Sequence, residues 1–250
     1  FFGIGAIMGP QVVNFALSQQ NFTLAYTITG IFTLLLIIPF GTISIGVHGG
    51  EQQTEQRRAI PWMALIPLAI LMFTYVGIEV GFGNWIFTQL TLVTKATASN
   101  GTIATSLYWT GLTVGRLTAS LILRRLTDGQ LLILSIILLG IGATIILLLP
   151  TNEFTSIVGS FIVGFGCGPI FPIAFASFNK IAPGSGGTVS GVMMAVGNFG
   201  AVVLPWLQGQ VGAGMNGGII VILILSLILL GVALQIQRQM RLTLASRQPI

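Results

Sequence analysis

One carboxylate stands where its chemistry is costly. Within "YVGIEVGFGNWIF" (75–87), Glu79 interrupts an apolar run long enough to cross a bilayer. A charged side chain at the centre of a lone membrane helix costs about 2.5–3.5 kcal/mol on insertion scales. Such a residue therefore faces a bundle interior or a wet cavity, and it marks a functional position by default. Glu79 is the only acid inside any apolar span, because Glu51, Glu55, Asp128 and Glu153 all fall between spans. Asn84, Trp85 and Gln89 follow on the same segment. On a straight helix Glu79 and Asn84 point about 140° apart, since five residues turn through about 500°. Gly81 and Gly83 lie between them, and a helix loosened there turns the carboxylate and the amide toward one cavity. An apolar wall with a few convergent polar groups is the usual form of a small-molecule site.

Tyr108, Trp109 and Asn198 are further candidates near mid-span, because indole and phenol rings stack on flat apolar faces and their polar tips hydrogen-bond. A second reading stays open. Glu79 could be the buried partner of a group such as Arg116 and hold helices together, and the aromatic residues could be interfacial anchors, as Trp62 and Trp206 near span ends are. The remaining inventory is thin. A single cysteine, Cys167, and a single histidine, His48, give no disulfide framework and no metal site, and no cofactor is expected. "GSGG" (184–187) has the look of a serine nucleophile loop, but Ser185 falls in a turn with no buried base, which argues against an intramembrane enzyme.

These residues must be held by membrane helices. Hydrophobic residues make up 54% of the 250 and charged residues only 6%, against about 25% in soluble domains. Mean hydropathy is +0.96. Eight runs reach or approach the 20 or so residues a spanning helix needs: 1–18, 24–45, 62–90, 103–123, 131–149, 154–178, 188–210 and 218–236. Runs such as "GGIIVILILSLILLGVAL" do not alternate, which excludes barrel strands. Eight crossings put nine of the ten basic residues on one side, among them Arg57, Arg58, Arg116, Arg124, Arg125, Lys180 and Arg238, and leave Lys95 on the other. By the positive-inside rule the nine-residue side is cytoplasmic, which places the linker and C-terminus there and argues against a seven-helix receptor. The net charge of +5 then reflects topology and attraction to lipid headgroups; scattered over separate turns, it makes no nucleic-acid patch. The opening "FFGIGAIMGP" reads as a chain entered in mid-helix.

The only long polar stretch, 46–61, divides two helices of one bundle (1–45) from a six-helix bundle (62–236), and a tail (237–250) follows. The six helices split into two groups of three, and an odd group inverts its topology on repetition. Gly81-Phe82-Gly83 and Gly164-Phe165-Gly166 head the two groups, and the second continues through Gly168 and Pro169. Paired helix breaks at Gly81, Gly83, Gly166, Gly168 and Pro169 would point to a binding site, whereas glycines that merely admit close packing would not.

"GLTVGRLTASLILRRLTDGQ" (111–130) resembles the eighth helix and following turn of the major facilitator superfamily. "FFGIGAIMGP" is similar to its fifth helix, "MAVGNFGAVVLPWLQG" (194–209) to its eleventh, and "YVGIEVGFGNWIFTQL" (75–90) to the seventh helix of its fucose/glucose permease branch. The turn 124–130 departs from the superfamily's loop motif by lacking its Gly-Arg-Arg ending. The resemblance implies an all-α membrane protein covering helices five to twelve. It implies a monomeric secondary transporter of an inner or plasma membrane, with two bundles rocking about a midplane site. A small polar solute such as a sugar is the expected substrate, with a coupling proton or sodium ion. Arg116, Arg124 and Arg125 would help close the inner face. An efflux carrier for lipophilic compounds is the alternative.

Overall fold

The computed structural model of the protein describes residues 2–42, 60–123, 125–182, 185–212 and 216–245. Among these the chain forms α1 (Phe2–Ser18), α2 (Thr23–Thr42), α3 (Trp62–Thr88), α4 (Ala98–Ile122), α5 (Asp128–Leu148), α6 (Glu153–Cys167), α7 (Ile170–Ile181), α8 (Gly186–Gly212) and α9 (Gly217–Ala245). A π-helical turn, Gln89–Val93, prolongs α3. The helices follow the apolar runs, except that the sixth run is two helices with Gly168 and Pro169 between them. Most of the expected linker (46–59), together with Arg124, lies outside the described residues.

Among the described residues, five helical stretches are long and apolar enough to cross a membrane: Trp62–Val93, Asp128–Leu148, Glu153–Ile181, Gly187–Val211 and Gly217–Arg238. α4 is long as well, but its apolar character is diluted by threonines, serines, glycines and Arg116. Local signals start the helices. The Thr97 hydroxyl accepts from the Asn100 amide at the start of α4, and Asn152 caps α6 through the Thr155 amide. Thr127 and Gln130 form a reciprocal capping box on α5. An ion pair between Asp128 and Lys180 ties the start of α5 to the end of α7.

Lipid offers no hydrophobic drive for one helix to join another, so association depends on close van der Waals fit. α3 lies along α8 and α9, α4 along α6 and α1, and α5 along α6 and α9. Glycines line the tightest seams. A Cβ on Gly77 of α3 would stand 2.9 Å from the Gly200 carbonyl oxygen of α8. One on Gly164 of α6 would stand 3.0 Å from the Leu112 amide nitrogen of α4 and closer still to the Tyr108 carbonyl. Around these seams Tyr75, Ile78, Phe82, Tyr108, Leu139, Val163 and Cys167 are fully buried.

This packing corrects the expectation of a break at Gly81 and Gly83, since α3 runs unbroken through both. Gly81 makes room for the Gln208 carboxamide, and Gly83 for the Trp109 ring, 2.9 Å from where its Cβ would be. Gly166 is likewise inside α6, where a Cβ would stand 2.6 Å from the Ser135 carbonyl oxygen of α5. A glycine whose hydrogen faces a neighbouring helix gains contact by staying helical, so the helix has no reason to open there.

Gly164→Ala forces the α4–α6 seam apart, an overpacking cost of about 1–3 kcal/mol. Its thermal midpoint in detergent should fall clearly below that of Gly231→Ala, where no neighbouring atom lies within 4 Å.

Candidate functional site

Glu79 lies about two thirds of the way along α3 and is 7% exposed. Its Oε1 accepts from Arg116 Nη2 of α4 at 2.8 Å. The same nitrogen reaches the Tyr75 hydroxyl at 3.4 Å. Tyr75 precedes Glu79 by one helical turn, so the two side chains share a face of α3. The Arg116 guanidinium also sits over the Phe171 ring, 5.6 Å from its centroid. Phe171 is the second residue of α7, just past the interruption at Gly168 and Pro169. Four side chains from three helices thus meet: a carboxylate, a guanidinium, a phenol and an aromatic face.

The cluster has a buried and an open end. The Tyr108 hydroxyl donates to the main-chain carbonyl of Glu79 at 2.8 Å, closing the buried side. Tyr108 packs at 5.0 Å between centroids against Phe82 and, edge-on, against Trp109. Arg116 keeps 30% of its side chain exposed, against 9% for Glu79, so the arginine is the more open partner of the ion pair. Two charges removed from water keep their charged forms only when paired and hydrogen-bonded. The arrangement can present charge-assisted hydrogen bonds, which are shorter and about twice as strong as neutral ones, next to an aromatic wall.

The other expected residues are divided. Arg116, expected to help close the inner face, pairs with Glu79. Asn84 is exposed while Glu79 is buried, as an unbroken α3 requires, so the two do not converge. Trp85 is half-buried, with its ring 3.4 Å from where a Cβ on Gly218 would stand. Gln89, ten residues and about 15 Å of helix beyond Glu79, donates to Asn216 Oδ1 at 2.7 Å and joins the end of α3 to the start of α9. Tyr108 is fully buried and supports the site from behind, and Trp109 is half-buried beside it. Asn198 is exposed on α8, and Arg125 is exposed between α4 and α5.

Sequence reasoning missed Tyr75 and Phe171. The first was legible as the residue one turn before Glu79. The second depends on how α7 restarts, which no spacing announces. It also missed the contact of α1 with α4, where Ser106 Oγ accepts from Gln11 Nε2 at 2.9 Å and donates to the Ile7 carbonyl at 3.0 Å.

Helices this apolar, packed around a buried ion pair, define an integral, multi-pass membrane protein. No family model matches the chain. Over 261 residues it is 24% identical to the glucose/mannose transporter GlcP of Bacillus subtilis (strain 168), a match covering 95% of this chain and 62% of that protein. It is 26% identical over 257 residues to Bypass of stop codon protein 6 of Saccharomyces cerevisiae, covering 84% of this chain and 50% of that one. It is also similar to sodium-dependent glucose transporter 1 of Xenopus laevis, at 25% identity over 198 residues, covering 75% and 40%. The chain thus spans less than two thirds of the length of each of these relatives.

Removing one partner of a buried pair leaves the other uncompensated, at about 3–5 kcal/mol. Arg116→Ala should therefore lower the thermal midpoint strongly. Adding Glu79→Gln to it should restore part of the loss, and a double-mutant cycle reads the coupling.

Proposed function

We propose that the chain is part of a secondary transporter that moves a sugar across a membrane by alternating access, driven by a coupling ion. The observation that carries the reading is the Glu79–Arg116 pair, open on one side and walled by Tyr75 and Phe171. A sugar is neutral and ringed with hydroxyls. The guanidinium and the carboxylate hydrogen-bond such hydroxyls, while Trp109, half-buried beside them, offers its ring to the sugar's C–H surface. The names of two relatives support the substrate class, and one of them supports sodium as the ion; a carboxylate such as Glu79 suits either sodium or a proton.

In this reading α1 and α2 belong to one six-helix bundle and α3–α9 make up the other, with the linker and C-terminus cytoplasmic and the membrane a plasma or inner membrane. The second bundle is two inverted three-helix repeats, α3–α5 and α6–α9, with α6 and α7 counted as one broken span. The packing supports the repeat: the first helix of each group lies along the second helix of the other, α3 on α8 and α6 on α4, both on glycine-lined seams. The α1–α4 contact through Gln11 and Ser106 is then where the two bundles meet. Tilting them about this contact exposes the site to one side and then to the other. Asn84, Asn198, Arg124 and Arg125 are proposed to line or close the cleft only once both bundles are in place.

The intact protein reconstituted in liposomes, given a labelled hexose and an imposed proton or sodium gradient, tests this. Accumulation should follow one of the two gradients. Loss of a charged hydrogen-bond partner is worth about 1.5–3 kcal/mol, so Glu79→Gln should weaken half-saturation by roughly 10- to 150-fold. Unchanged uptake in that variant would sink the site assignment.

A further inference from the structure

On the flank formed by α5 and α9, a second feature is built from different residues. The helices run antiparallel and nearly touch at one end, where a Cβ on Gly129 would stand 3.0 Å from the Gln237 side chain. Further along they part around an elongated cavity of about 520 Å³. Its floor is Gly140 and Ser226, and its lips include Ile137, Ile141, Leu227 and Leu230. Gly140 and Ser226 face each other across the floor, where a Cβ on Gly140 would meet Ser226 Oγ at an ordinary contact distance of 3.7 Å, so a larger side chain there would project into the groove. The groove is dry in character. The Ser226 hydroxyl donates to the Leu223 carbonyl at 2.7 Å and the Thr144 hydroxyl to the Gly140 carbonyl at 2.7 Å, so both protons are committed to their own helices.

Branched lips over a narrow floor suit a flexible hydrocarbon chain. A partner helix would need small residues at the rim to bring its backbone close, as at the α3–α8 seam. One end of the groove is also charged. Leu227 and Arg238 are eleven residues apart, three turns to within about 20°, so they share a face of α9. Leu234, 49% exposed, continues the apolar stripe between them, and Leu134, 41% exposed, does so on α5. From Leu230 to Arg238 is about 12 Å of helix, the length of several methylenes and a glycerol. Arg238 and Arg125 are exposed at that end, while Asp128 is paired with Lys180.

We propose that this groove binds one acyl chain of an anionic phospholipid, with its phosphate held by Arg238. Basic groups beside a gap between membrane helices recognise acidic headgroups in this way. The site is independent of the Glu79–Arg116 cluster.

The test uses the intact protein, purified in detergent and stripped of lipid. Dioleoylphosphatidylglycerol should raise its thermal midpoint by several degrees, and dioleoylphosphatidylcholine should raise it much less. Gly140→Leu fills the groove and should abolish the gain, and Arg238→Gln should reduce it. Native mass spectrometry should find at least one more phosphatidylglycerol retained on the parent than on Gly140→Leu. Should Gly140→Leu not fold, Ser226→Leu serves in both measurements. Equal stabilisation by the two lipids, or undiminished binding by the filled variant, overturns the proposal. So does a protein that retains no lipid and associates through this face with a second copy.

Discussion

A buried ion pair is stable only where its geometry is exact enough to offset what both charges lose on leaving water. Glu79 and Arg116 meet that condition at 2.8 Å, and the surrounding structure is arranged to keep it. Tyr75 adds a hydroxyl one turn away, Phe171 adds the negative face of a ring, and Tyr108 anchors the α3 backbone from behind. Removing any of these loosens a carboxylate that hydrocarbon does not tolerate. The pair also joins α3 to α4 and, through Phe171, to α7, so any motion of α7 about Gly168 and Pro169 is felt at the guanidinium.

Glycine makes that convergence possible. In lipid the helices have no solvent to flee from, and attraction comes from atoms in contact. Gly111, Gly115, Gly164 and Gly168 bring α4 and α6 together backbone to backbone, which sets Arg116 close to the start of α7. On the other side Gly77 and Gly200 hold α3 against α8. The same residue type at Gly140 does the opposite. There it faces only the Ser226 hydroxyl, at an ordinary contact distance, on the floor of the groove between α5 and α9.

The helices were legible along most of the chain because hydropathy states where a backbone must satisfy its own hydrogen bonds. The capped starts at Thr97, Thr127 and Asn152 emerged only in the structure. Glu79 was legible as a site residue because its cost in lipid is independent of tertiary detail. Its tie to Arg116 was visible only as one option among several. Asn84 and Gln89 were grouped with it by proximity along the chain, yet the unbroken α3 sends Asn84 away and Gln89 is occupied by Asn216. The glycines around Glu79 carried no label either, since one residue serves as hinge or as seam according to what lies opposite.

By itself, then, the sequence determined the solvent, the helices and their approximate ends, and the one carboxylate that had to be answered for. All of these follow from local composition and from transfer energies that each segment carries alone. Tertiary structure decided which cation answers Glu79, whether a glycine bends a helix or admits a neighbour, and where a gap stays open. Those outcomes depend on atoms far apart in the chain, such as residues 79 and 116 or 140 and 226, and on which helix faces meet.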